Sequence, residues 1–161
     1  MISNVKRLLF LALIVLMATS ASAEISSFVG NWKVLELYDS IDSTTPRELP
    51  SNGPFVFRFA INDKHPEDTL SVGIKIGNTM RTSVNVLEEK DGEAEIHVGL
   101  MMSTQMMPPQ DQFQFEMFLS KAIPKMTVMK LNAEKSEMVL EGDAKIVLEV
   151  MPSIAVHRYT Q

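Results

Sequence analysis

One run after another from Phe55 onward alternates apolar and polar residues with a period of two. Successive side chains of a strand point to opposite faces, so this pattern demands strands with one buried and one wetted face. Phe55, Phe57, Phe59 and Ile61 share a face opposite Arg58, and Leu70, Val72, Ile74 and Ile76 share one opposite Ser71 and Lys75. Ala94, Ile96, Val98, Leu100 and Met102 stand against Glu95 and His97. Phe113, Phe115, Met117 and Leu119 repeat the spacing, and Ala144, Ile146, Leu148 and Val150 close the series. The reading gives nine or ten strands, over 28–38, 54–62, 69–76, 79–88, 93–103, 113–121, 125–132, 136–141, 144–151 and 153–159. No window beyond the first 23 residues carries a convincing helical period, so no helix is expected there.

Short turn signals separate the runs, among them Asn62-Asp63-Lys64-His65-Pro66, Ile76-Gly77-Asn78, Lys90-Asp91-Gly92 and Glu141-Gly142-Asp143. Connections this short join neighbours, so consecutive strands are expected to pair as antiparallel hairpins. A long meander exposes two sheet edges unless it closes on itself. The expected fold class is therefore all-β, a single antiparallel up-and-down barrel of eight to ten strands, with a two-sheet sandwich satisfying the same alternation. Two longer connections, 39–54 with its prolines and 103–112 with Met106 and Met107, are expected at the entrance to a binding site.

Lys6 and Arg7 precede an apolar run from Leu8 to Met17, and Ala21-Ser22-Ala23 offers small residues at a cleavage position. That arrangement predicts a signal peptide at 1–23, a mature domain at 24–161 and a secreted, extracellular location. The apolar run is ten residues long, against the roughly 20 needed to cross a bilayer, so no stable membrane insertion is expected. The chain holds 15 basic and 20 acidic residues, net −5, and losing Lys6 and Arg7 takes the balance to −7. No run of Lys or Arg offers a phosphate-backbone face, so nucleic acid is not an expected partner. The absence of cysteine removes disulfides, thiolate metal sites and thiol nucleophiles together.

At the head of the first strand stands Phe28-Val29-Gly30-Asn31-Trp32-Lys33-Val34. Its Gly30-x-Trp32 pair, near the expected mature N-terminus, resembles the opening signature of the lipocalins and fatty-acid-binding proteins, two branches of the calycin superfamily. In calycins that Trp lies across the closed end of the barrel, packed by an Arg from a late strand. The resemblance thus gives Gly30, Trp32 and Arg158 structural roles, the last within Ile154-Ala155-Val156-His157-Arg158-Tyr159. Independently, Arg158 shares a strand face with Ile154 and Val156, and an inward guanidinium needs an aromatic face or carbonyl oxygens as partners. The chain departs from both branches: it lacks the cysteines of the usual lipocalin disulfides, and prolines break 39–54 where fatty-acid-binding proteins place a helix-turn-helix.

The resemblance implies a carrier of one small hydrophobic molecule, a fatty acid, retinoid or similar lipid, inside the barrel. Phe57, Phe59, Val72, Ile74, Val98, Leu100, Met102, Phe115 and Met117 are the expected lining, with Arg158 at the base. Their flexible or aromatic side chains suit an irregular apolar partner, although plain core packing gives the same rows. In the expected register Arg58 and Arg81 face outward; a slip of one residue would turn them in, where a guanidinium binds a carboxylate with two hydrogen bonds. Met101, Met102, Met106 and Met107 read as an apolar rim, with a ligand gate or a soft-metal site as alternatives. His65, His97 and His157 are too scattered to converge on a metal, and no metal or cofactor is expected. None of the hydrolase, nucleotide-binding or metalloprotease motifs is present, so the chain is not expected to be an enzyme. The alternative is an extracellular protein-interaction module with a filled barrel or sandwich and an unknown receptor.

Overall fold

The computed structural model describes residues 25–152 apart from 133 and 135. The expected signal peptide at 1–23, the strand at 153–159, Arg158 and His157 lie outside these residues. The chain opens with a 3-10 turn, Ile25–Phe28, followed by β1 (Gly30–Tyr38), β2 (Val56–Ile61), β3 (Thr69–Lys75), β4 (Thr79–Lys90), β5 (Glu93–Val98) and the two-residue β6 (Met102–Ser103). One helix, α1 (Gln110–Ala122), leads through a 3-10 turn, Ile123–Lys125, into β7 (Met126–Asn132), β8 (Glu137–Gly142) and β9 (Lys145–Val150).

Every pairing is antiparallel, and the order runs β3-β2-β1-β9-β8-β7-β5-β4 before β4 returns to β3. The sheet is therefore a closed eight-stranded up-and-down barrel, with β6 as an extra strand beside β4. Closure rules out the sandwich and leaves the meander no long free edge. The turns follow local chemistry. Between β4 and β5, Asp91 and Gly92 both take positive φ, 54° and 82°, the conformation that a two-residue hairpin of matching twist requires and that Asp-Gly supplies cheaply.

Alternation sends Trp32, Val34, Phe57, Phe59, Val72, Ile74, Met80, Val84, Ile96, Val98, Met129, Met138, Leu140, Ile146 and Leu148 to the inside, all 6% exposed or less. An eight-stranded barrel is just wide enough for such side chains to fill it. Fully burying each large one contributes roughly 1.5–3 kcal/mol. The strand bulges are offset by the pattern: an extra residue on β4 between Val86 and Glu88 throws Leu87 outward, 62% exposed.

Both ends are covered. At one, Ile25 and Phe28 of the 3-10 turn are buried, and the Trp32 indole N–H donates to the Phe28 carbonyl at 3.0 Å. Gly30, at φ 149°, makes the turn from this cap into β1, a conformation that favours glycine. At the other, α1 lies over the start of β2 and the β3–β4 corner. Phe115 packs on Phe55 at 4.8 Å between ring centroids, and Leu119, Ala122 and Ile123 are buried beside it.

This helix corrects the strand expected over 113–121. Residues 110–122 contain no β-branched side chain, glycine or proline, so nothing opposes a helix there. Asp111 in its first turn and Lys121 in its last suit the helix dipole. Phe115, Leu119 and Ala122 fall on one face at helical spacing, while Phe113 and Met117, which share the period-two row, are 50% and 42% exposed.

Asn78 pins the helix to the barrel. Its backbone N–H and side-chain N–H donate to the two carboxylate oxygens of Glu116, buried to 7% exposure. Its side-chain oxygen accepts from the Met106 backbone N–H at 2.8 Å and the Thr104 hydroxyl at 3.0 Å. One asparagine thereby ties together three residues, Thr104 and Met106 of the loop and Glu116 of the helix, at the β3–β4 corner.

Candidate ligand groove

The expected lining residues separate into two groups. Phe57, Phe59, Val72, Ile74 and Val98 point into the barrel and are 0–6% exposed. Phe57 and Phe59 stack at 6.4 Å, and α1 with Phe115 stands over the mouth where an entrance was expected. Leu100 and Met102 are not inside: they are 91% and 67% exposed. The expected single strand 93–103 ends at Val98, because Gly99 leaves the ladder. Its N–H donates to the Ser83 carbonyl at 2.8 Å and its own carbonyl accepts from the Thr82 hydroxyl at 3.0 Å. Val98 pairs with Val84, but Met102 pairs with Arg81, so one extra residue separates β5 from β6. One inserted residue reverses every side chain beyond it. Met117 is likewise outside the barrel, on the exposed face of α1.

The outward register brings other residues together. Asn31 on β1 pairs with Arg58 on β2, Arg58 with Gly73 on β3, Gly73 with Arg81 on β4, and Arg81 with Met102 on β6. This single cross-strand row floors an open groove of about 710 Å³ on the outer face of the barrel. At its centre Gly73 has no side chain, and nothing lies within 4 Å of where a Cβ would stand. Leu100 and Met102 form an apolar wall, and Ser71, Ser83 and Thr79 add hydroxyls.

Charge distinguishes this groove from the rest of the molecule. Arg58, Lys75 and Arg81 line it, and no Asp or Glu does, in a chain whose net charge is −5. Several basic side chains elsewhere meet an acid: Lys33 meets Glu149 at 3.0 Å, Lys125 meets Asp143 at 2.6 Å and Lys130 meets Glu141 at 2.6 Å. Arg58 and Arg81 have no ion pair or hydrogen bond among the described residues.

A second, smaller recess of about 420 Å³ lies between the 103–107 loop and α1, bordered by Met106, Met107, Phe113 and Met117. Met106 and Met107 are exposed, whereas Met101 is half-buried and packs against the core. Among the described residues no three His, Asp or Glu side chains converge on a metal position. Nor is any described helix long and apolar enough to cross a membrane.

Comparison with known proteins adds the fold alone. No family model matches the chain, and no curated protein matches it. A solved NMR structure of a protein from Burkholderia xenovorans is similar, with a TM-score of 0.58 at 15% identity over 84% of this chain and 92% of that one. The class that the fold defines is thus a closed antiparallel eight-stranded up-and-down barrel with one extra strand and one helix.

Proposed function

We propose that the chain is an exported, non-enzymatic binding protein of the calycin kind, holding one small, partly hydrophobic molecule against its outer groove. The observation that carries this reading is the groove across Arg58, Gly73 and Arg81, whose volume of about 710 Å³ suits one small ligand of the usual size. Large side chains fill the barrel and both ends are covered, which favours the outer surface over the interior expected from the resemblance. Export rests on the basic and apolar run with its small-residue site, and the calycin likeness on Gly30, Trp32 and the closed eight-stranded meander.

The test uses Gly73→Trp. Open space above Gly73 lets the indole stand outward without touching the core, so the fold is expected to survive while the groove is plugged. Native mass spectrometry of protein purified from an exporting host, with extraction of any bound lipid, is expected to show an adduct on the parent that disappears from Gly73→Trp at unchanged melting temperature. An adduct retained by the variant places the ligand elsewhere. Clean apo mass in both, with no binding across fatty acids, retinoids and sterols, favours the protein-interaction reading.

A further inference from the structure

We infer that the groove recognises a doubly charged phosphomonoester head joined to an apolar tail, gripped by Arg58 and Arg81 from either side of Gly73; this rests on the groove being the binding site. The two arginines are second neighbours in one outward row, so their Cα atoms stand about 9.5 Å apart across two strand spacings. The residue between them is the one residue type that leaves the space above it empty, and it is empty. Side chains of this length, one on each side, are long enough to meet over the β3 backbone at Gly73.

An isolated arginine on a strand surface is ordinary, but this pair is unusual in three respects. Both are outward and exposed, both lack a partner among the described residues, and the lining contains no carboxylate to neutralise them. Like charges flanking one glycine repel each other unless an anion lies between them. The head's chemistry follows from the donors. A guanidinium presents a planar fork that grips two oxygens at once. A carboxylate offers two oxygens and a single negative charge, half of what two arginines can neutralise. A phosphomonoester dianion offers three oxygens and two negative charges, matching two forks and two positive charges. Ser71 and Ser83, facing each other across β3 and β4 in the next row, supply hydroxyl donors, and Lys75 adds a third cation at the groove's other side.

The tail follows from the wall. Leu100 and Met102, 91% and 67% exposed, stand at the β6 end of the row beside Arg81. The Gly99 irregularity that turns them outward puts apolar surface directly next to the paired charges. An alkyl chain lying on them removes that surface from water, at about 25 cal/mol per Å² buried.

Calorimetric titration of the full mature protein with dodecyl phosphate, laurate, dodecanol and inorganic phosphate tests this, with Arg58→Gln, Arg81→Gln and a distant control, Lys121→Gln. These are exposed positions, and melting curves check that the variants fold. Dodecyl phosphate is expected to bind tightest, each arginine variant to weaken it roughly tenfold, as loss of charged hydrogen bonds at an open site does, and Lys121→Gln to leave it unchanged. The Gly73 amide resonance is expected to shift on binding. Equal binding of dodecyl phosphate and dodecanol, unaffected by the arginine variants, overturns the clamp and leaves the groove reading standing. Laurate binding as tightly as dodecyl phosphate overturns the choice of head. Inorganic phosphate binding as tightly as dodecyl phosphate removes the tail, and with it the amphiphile. Failure of every probe overturns groove and clamp together.

Discussion

At the scale of single residues, the glycines show how much the fold depends on one missing methyl. An added Cβ at Gly142 lands on the Lys125 carbonyl oxygen and within 2.8 Å of Met126 Cα. Both obstacles are backbone, so the β8–β9 corner has to open. We expect Gly142→Ala to lower stability by about 2 kcal/mol or more. At Gly73 the same methyl meets nothing, and alanine restricts the unfolded chain, so Gly73→Ala is expected to be neutral or stabilising by up to about 1 kcal/mol. Urea melts of the two variants provide the contrast, and equal losses would mean that the groove floor is not open space. Asn78 is the corresponding polar case. Its replacement by Ala keeps the backbone donor but leaves one oxygen of the buried Glu116 carboxylate without its side-chain donor and the Met106 N–H without its acceptor, an expected loss of about 2–3 kcal/mol. Hydrogen exchange should then show the 103–107 loop losing protection before the β3–β4 hairpin does.

At the scale of elements, α1 acts as a lid on a packed barrel, and its weight falls on Phe115. Truncation to alanine removes a 3%-exposed ring from contact with Phe55, which is expected to cost about 3–5 kcal/mol. The effect should appear as lowered stability with affinity of the remaining folded protein unchanged; the reverse would return Phe115 to a ligand site. The β5–β7–β8 seam has an electrostatic counterpart. Lys130 on β7 donates to Glu141 on β8 at 2.6 Å and lies 4.0 Å from Glu93 on β5. The hydrogen bond to Glu141, helped by both carboxylate charges, raises its pKa above the ordinary lysine value of 10.5. A raised folded-state pKa gives stability that is fully present below that value and lost as pH climbs through the folded one. The stability difference between the parent and Lys130→Gln, measured by urea unfolding, should therefore hold from pH 8 to 10 and shrink above 10.5. A gap unchanged to the highest pH would make the contribution one of packing.

The strands were legible because alternation is a local property of each run: eight of the ten expected segments contain observed strands, and the turn residues lie between them. The helix was hidden because Phe113, Phe115, Met117 and Leu119 satisfy period two while Phe115, Leu119 and Ala122 satisfy the helical period. Short apolar runs fit both, and the absence of β-branched residues in 110–122 was the deciding signal. Leu100 and Met102 were misplaced because Gly99 reverses the faces at a point where the apolar pattern continues unbroken. The groove was least legible of all. Alternation shows that Arg58 and Arg81 face outward, but their meeting over Gly73 depends on the register of three strands, which no single run contains.

At the scale of the whole molecule, the barrel is a chain of local hairpins shut by one distant seam. β1 to β5 and β7 to β9 each pair with sequence neighbours, whereas closure joins β1 to β9, with Val34 against Leu148, 114 positions later. Bringing such distant segments together costs loop entropy before any contact rewards it, so distant pairings form late. The β2–β3–β4 hairpins that carry the groove need no such closure. Ile74, buried at 1% and paired with both Phe57 and Met80, belongs to the early part; Leu148, buried at 0%, belongs to the seam. Truncation of either to Ala or Val is expected to cost about 1–4 kcal/mol, but the kinetics should differ. Ile74→Val is expected mainly to slow folding, and Leu148→Ala mainly to speed unfolding, with a φ-value below about 0.3. Chevron plots of the two variants decide it. A high φ at Leu148 would mean that the barrel closes before its hairpins are complete, making the groove a product of closure and not a surface that the early hairpins already define.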